Sequence, residues 1–174
     1  RIHNANSEGK YRLNGFAISQ KMEVFPEYDA AIISLSQKEL NHYHYQKGDT
    51  EGLVNVPLSM ENILFSAFLR EESNLIKISL RSKGTFPANK IASEYFNGGG
   101  HLNAAGGEFY GTLKEAEDLM HKILPVIGEL AIQSKKKQKY EYEIFYNDFG
   151  FLFGVRICLL RRRKNIYRIA RRRR

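Results

Sequence analysis

Between residues 98 and 107 the chain reads Gly-Gly-Gly-His-Leu-Asn-Ala-Ala-Gly-Gly, with His101 directly behind three glycines. Glycine loses the most conformational freedom on folding, so such a run marks close backbone approach or positive φ. Backbone free of side chains brings several N–H groups against one anion, as in phosphate-cradling nests. A neighbouring imidazole adds a further donor. Phosphate binding is the chemistry in view, with Gly98, Gly99, Gly100 and His101 as candidates. The plainer alternative is a flexible glycine-rich connection with an incidental histidine.

A second candidate lies upstream. In the run Ile76-Lys77-Ile78-Ser79-Leu80-Arg81, a strand would send Ile76, Ile78 and Leu80 one way and Lys77, Ser79 and Arg81 the other. Arg81 then closes the polar face with a planar fork of donors that matches phosphate geometry and stays charged. An isolated strand arginine is otherwise a surface ion-pair partner. His42 and His44 form an H-x-H pair that alternation would align for a metal, but no third ligand is in view. Asn41–Tyr45 reads more simply as a solvated helix end. His3 and His121 carry no signal, and Cys158 has no partner for nucleophilic or metal chemistry.

Several blocks, in order along the chain, carry a resemblance. Lys47-Gly48-Asp49-Thr50-Glu51-Gly52-Leu53-Val54-Asn55, Ile78-Ser79-Leu80-Arg81-Ser82, Ile91-Ala92 and the 98–107 segment are similar to the signature of the DHHA1 domain. This is the C-terminal, substrate-binding half of DHH-family phosphoesterases. The nearest branch degrades very short RNAs and dephosphorylates pAp, and the likeness runs from about Ser7 to Leu130. The resemblance implies that Arg81 grips substrate and that His101 reaches the scissile phosphate. Gly98, Gly99, Gly100 and Asn103 would hold a terminal phosphate or ribose. Glu51 and Asn55 would lie near the contact with the catalytic half, bordering the cleft; a simple turn is the alternative there.

The elements that must position these residues follow from periodicity and caps. Leu13, Phe16, Ala17 and Val24 form a rough helical stripe, and residues 28–35 have the length of a strand. Ser36 with Glu39, and Thr112 with Glu115, are capping boxes that open helices. Residues 63–70 and 75–81, joined by Glu71-Glu72-Ser73-Asn74, predict a hairpin. Pro87 suits the first turn of a helix that buries Ile91, Ala92, Tyr95 and Phe96 and ends at Asn97-Gly98. The glycine segment then reads as a loop before a strand at 107–110. Ala116, Leu119, Met120, Ile123 and Leu124 face inward from the next helix, which Pro125 should kink or end. The expected architecture is α/β or α+β, one mixed sheet flanked by helices, DHHA1-like. Residues 1–9 read as the end of an upstream domain or linker, 10–134 as the domain, and 135–174 as a poorly ordered basic tail.

The formal charge is +8, but nine positive charges fall within residues 161–174 with no acid, leaving residues 1–160 nearly neutral. The body therefore exerts no global pull on a polyanion, and a few placed groups must meet any phosphate. The tail reads as an RNA or acidic-membrane clamp or, more simply, as an unstructured appendage. One cysteine fits a reducing compartment. No signal-peptide pattern or apolar run of about 20 residues stands in the chain, so a cytoplasmic, soluble protein is expected.

Two-metal phosphoesterases need several carboxylates and histidines around paired ions. Asp29, Asp49, Asp118 and Asp148 stand in no Asp-His-His or Asp-x-Asp arrangement. No catalytic or metal-ligating residue is therefore assigned here. The resemblance implies a divalent ion, Mn²⁺ above all, in a linked upstream DHH domain, and a short RNA or nucleotide phosphate as substrate. The partner surface is another domain or another copy of this chain. The alternative is a stand-alone nucleotide- or RNA-binding module without catalysis.

Overall fold

The computed structural model describes residues 7–152. Among them, two compact units divide between Lys136 and Lys137. The first is built on a six-stranded mixed sheet of β1 (Met22–Phe25), β2 (Ala30–Leu35), β3 (Phe65–Glu71), β4 (Ile76–Ser82), β5 (Gly99–His101) and β6 (Ala104–Phe109). The strand order is β1-β2-β3-β4-β6-β5, and only the β2–β3 pair is parallel.

Helices cover one face fully and the other in part. Alternation along β4 buries Ile76, Ile78 and Leu80 against α3 (Ala88–Tyr95), α4 (Leu113–Lys122) and the first turns of α5 (Leu124–Leu152). Phe65, Phe86, Ile91, Phe96, Met120 and Ile127 fill this larger core. On the opposite face a smaller core joins Ile33, Leu35 and Phe68 to Leu13 and Ala17 of α1 (Glu8–Gln20). Leu40 of α2 (Gln37–His42) and Leu53 and Val54 of a 3-10 helix over Leu53–Ser59 complete it. That covering is built from α1, which leads into β1, and from the elements between β2 and β3. Over β4, β6 and β5 the same face carries Lys77, Ser79, Arg81, Ala104, Gly106, Glu108, Gly99 and His101, which are too polar or too small to bury a helix.

Both capping boxes form. Ser36 and Thr112 accept from the backbone N–H of Glu39 and Glu115, whose carboxylates accept in return. Burial alone would raise the Glu39 carboxyl, but hydrogen bonds from Ser36 and the Lys21 ammonium at 3.2 Å hold it below its ordinary value. Bonds from the Thr112 backbone and hydroxyl do the same for Glu115.

Two expectations are corrected. Val24 does not extend the helical stripe: α1 stops at Gln20, and Val24 lies in β1, 40 % exposed. Helix α1 itself takes in Glu8 and Gly9 and is capped by Ser7. The glycine segment is no loop; Gly99–His101 is a strand, and β6 starts at Ala104 rather than residue 107. Helix α5 runs from Leu124 to Leu152. Ser134 is buried, bonding Thr85, and Lys135 reaches Asp29 at 2.6 Å. Residues 137–152, the second unit, are helical, with Lys139 and Glu143 paired one turn apart. Residues 1–6 and 153–174, with Cys158 and the arginine-rich stretch, lie outside the described residues.

Candidate phosphate-binding cleft

The uncovered half of the sheet carries an open cleft of about 630 Å³. Strand register places its lining residues, Arg81, Ala104, Ser79, Gly106 and Gly99 among them, whereas His101 shares the face without lining the cavity itself. Arg81 of β4 stands opposite Ala104 of β6, which stands opposite His101 of β5. Directly paired residues point to the same face, so Arg81 and His101 flank Ala104 in a single row. The next row is Ser79, Gly106 and Gly99, and beyond it Lys77 faces Glu108. A strip nearly bare of side chains thus runs between a cationic row and a mixed one.

Arg81 is half-buried on this face. Its guanidinium donates to the Leu80 carbonyl at 2.9 Å and to that of Ala105 at 3.5 Å, and it forms no ion pair among the described residues. Arg70 of β3 is the contrast. It donates to Tyr45 at 2.8 Å and Thr50 at 3.2 Å, pairs with Glu72, and lies over the Tyr45 ring. One arginine is held by an acidic partner and two hydroxyls; the other is held by backbone carbonyls alone.

His101 is exposed, and the turn that follows it is firmly held. The Asn103 amide donates to Ser82 Oγ at 2.9 Å and to the Gly84 carbonyl at 3.0 Å. The Asn103 carbonyl accepts from the Ser82 N–H, and that of Leu102 accepts from the Ala88 N–H at the start of α3. Asn103 therefore spends both amide hydrogens fixing the hairpin, and its link to the site runs through the position of His101.

The glycines divide by role. A Cβ on Gly98 would lie 2.0 Å from the Gly106 carbonyl oxygen, and Gly100 has φ of 141°, so both are required by the hairpin itself. Gly98 and Gly99 both border the cleft, but a Cβ on Gly99 would meet nothing within 4 Å. Glu51 and Asn55 are exposed, in the turn before and within the 3-10 helix over Leu53–Ser59, and neither lines the cleft. Ser79, Gly106, Lys77 and Glu108 do line it. The polar alternation of β4 was the signal for Ser79 and Lys77; nothing local marked Glu108.

Among the described residues no three His, Cys, Asp or Glu side chains converge. Asp29 is paired with Lys135, Asp118 with Lys114, and Asp49 accepts from the Gln46 N–H. His42 and His44 are exposed at the end of α2. No helix among the described residues is long and apolar enough to cross a membrane.

Comparison with known proteins decides the family. The DHHA1 domain profile matches residues 30–129. The chain belongs to the DHHA1 domain family. This DHHA1 domain is 29 % identical over 132 residues to the "probable bifunctional oligoribonuclease and PAP phosphatase" of Streptococcus mutans, covering 66 % of this chain and 42 % of that protein. An exopolyphosphatase-related protein from Bacteroides fragilis is 51 % identical, with a TM-score of 0.70, over 74 % of this chain and 38 % of its own. A pGpG-specific phosphodiesterase from Vibrio cholerae, at 13 % identity and a TM-score of 0.51 over 69 % of this chain and 39 % of its own, shares the fold. The DHHA1 domain chain spans about two fifths of the length of these relatives.

Proposed function

We propose that this chain is the substrate-gripping part of a metal-dependent DHH phosphoesterase that hydrolyses short oligoribonucleotides, pAp, or both. The observation that carries the reading is the row Arg81–Ala104–His101, in which a guanidinium without an acidic partner shares a bare sheet face with an exposed imidazole. Arg81 exchanges its bonds to carbonyls for two parallel bonds to a phosphate, a charge-assisted gain with no ion pair to break. His101 donates a ring N–H from the far side of the row. Gly99 lets phosphate or ribose approach the backbone. Together these groups orient the phosphate and offset its charge, which is transition-state stabilisation if they bind it more tightly as charge develops.

Metal chemistry, with Mn²⁺ the expected ion, is assigned to the part of the relatives' length that this chain does not span. The runner-up is a nucleotide-binding module without catalysis, favoured by the lack of converging metal ligands among the described residues. Two measurements separate these readings. The 174-residue chain should bind pAp and tri-adenylate saturably and hydrolyse neither with Mn²⁺ present; hydrolysis that disappears in His101→Ala would sink the proposal. An immunoblot of source cells against residues 10–130 should show a band near twice the 20.1 kDa of this chain. A band at 20.1 kDa would favour the binding module.

A further inference from the structure

Lys77 has no role in the preceding account. It is exposed on β4, on the same face as Arg81, and lines the same cleft. Its cross-strand neighbour is Glu108, the expected ion-pair partner. Yet Lys77 forms no ion pair among the described residues, and Glu108 instead accepts from the Tyr110 hydroxyl at 3.0 Å, a bond that pushes the Tyr110 phenol up. Four residues of strand separate Lys77 from Arg81, about 13 Å at the usual rise. The floor between them is Ser79, Gly106 and Gly99, with no side chain large enough to interrupt a ligand. A single sugar–phosphate repeat falls well short of that span.

Resting on the reading of Arg81 and His101 given above, we infer that Lys77 is a second phosphate contact, engaged only by substrates of more than one nucleotide. The cleft then runs along β4 and takes a short single strand, with its terminal phosphate at the Arg81 row and a later phosphate at Lys77. Beyond Lys77 the surface continues into a smaller depression of about 420 Å³ that Lys77 also lines, bordered by Tyr45, Lys47 and Arg70. A mononucleotide such as pAp occupies the Arg81 end alone.

The test compares pAp with 5′-phosphorylated tri-adenylate by competition anisotropy on the 174-residue chain, for wild type, Lys77→Ala and Glu108→Gln. Lys77→Ala should weaken tri-adenylate about five-fold and leave pAp unchanged, and the slope of log affinity against log salt should fall by about 0.7. Glu108→Gln should tighten tri-adenylate alone. Equal effects of Lys77→Ala on both ligands, or none on either, would overturn the second contact. Wild type that binds neither ligand would overturn the reading of the Arg81 row, and this inference with it. Thermal melts of both variants should match wild type, since both positions are at the surface.

Discussion

Arg81 and His101 lie in one row of the sheet with only Ala104 between them, about 10 Å apart by two inter-strand spacings, on the same face. Residues far apart in sequence are thereby fixed by backbone hydrogen bonds rather than by flexible side-chain contacts. The site needs little ordering when ligand arrives. Arg81→Ala should reduce pAp affinity by at least ten-fold. Arg81→Lys should recover only part of it, because an ammonium restores charge without the bidentate fork. Equal affinities for the lysine variant and wild type, by titration calorimetry, would contradict the fork geometry.

The two central glycines should separate in their effects. Gly100→Ala forces a side chain into φ of 141° and against the Ala104 carbonyl oxygen at 2.6 Å, so it should destabilise the fold by more than about 1 kcal/mol. Gly99→Ala meets open space, so its melting temperature should stay near that of wild type while ligand affinity falls. Urea unfolding and binding on the two variants check this. Undiminished binding by Gly99→Ala would show that ligand does not touch that strand.

Asn103→Ala removes both bonds that tie the hairpin turn to Ser82 and Gly84. A loss of about 1–2 kcal/mol is expected. Amide exchange at residues 101–104 should accelerate more than exchange in β3. Uniform acceleration would mean that the turn is not held locally.

Ser66 presents the opposite case. Its hydroxyl is fully buried across from Arg81 and has no hydrogen-bond partner among the described residues. Ser66→Ala should therefore stabilise the protein, by about 1 kcal/mol. Destabilisation on chemical denaturation would reveal a partner that the hydroxyl needs.

Acid should weaken the fold through the capping boxes. Glu39 and Glu115 are held below their ordinary value of 4.5 in the folded chain. The unfolded chain therefore takes up protons first. Their contribution is present above pH 4.5 and is lost as pH falls from there through the folded values. The urea midpoint should drop across that window, and Ser36→Ala should flatten the part owed to Glu39. A midpoint constant from pH 6 to pH 3 would contradict this.

Much of this architecture was legible in the sequence because it depends on local chemistry. Ser36–Glu39 and Thr112–Glu115 specify helix starts through adjacent side chains, and the alternation of β4 separates core from cleft without reference to other strands. The 98–107 segment was harder. Its glycines signal close approach but not the partner, and the partner is the segment's own second half, folded back as β6. Val24 was misread because a helical stripe of four positions also fits a helix that stops at Gln20 and a strand that follows it. The family residues Glu51 and Asn55 were named by likeness alone, and no pattern in the chain fixes their distance from the cleft. Lys77 was visible as a polar strand position, but its lack of a partner depends on Tyr110 engaging Glu108, which only tertiary geometry supplies.

At one margin of the sheet, β5 is three residues long and two of them are glycine. An unpaired strand margin normally invites pairing with another chain, and brevity is one way proteins discourage it. Here the added backbone freedom of glycine makes recruitment of a further strand weaker still. The margin that carries His101 is thus a poor seed for self-assembly, and the same glycines that bare this edge of the sheet also guard it against aggregation.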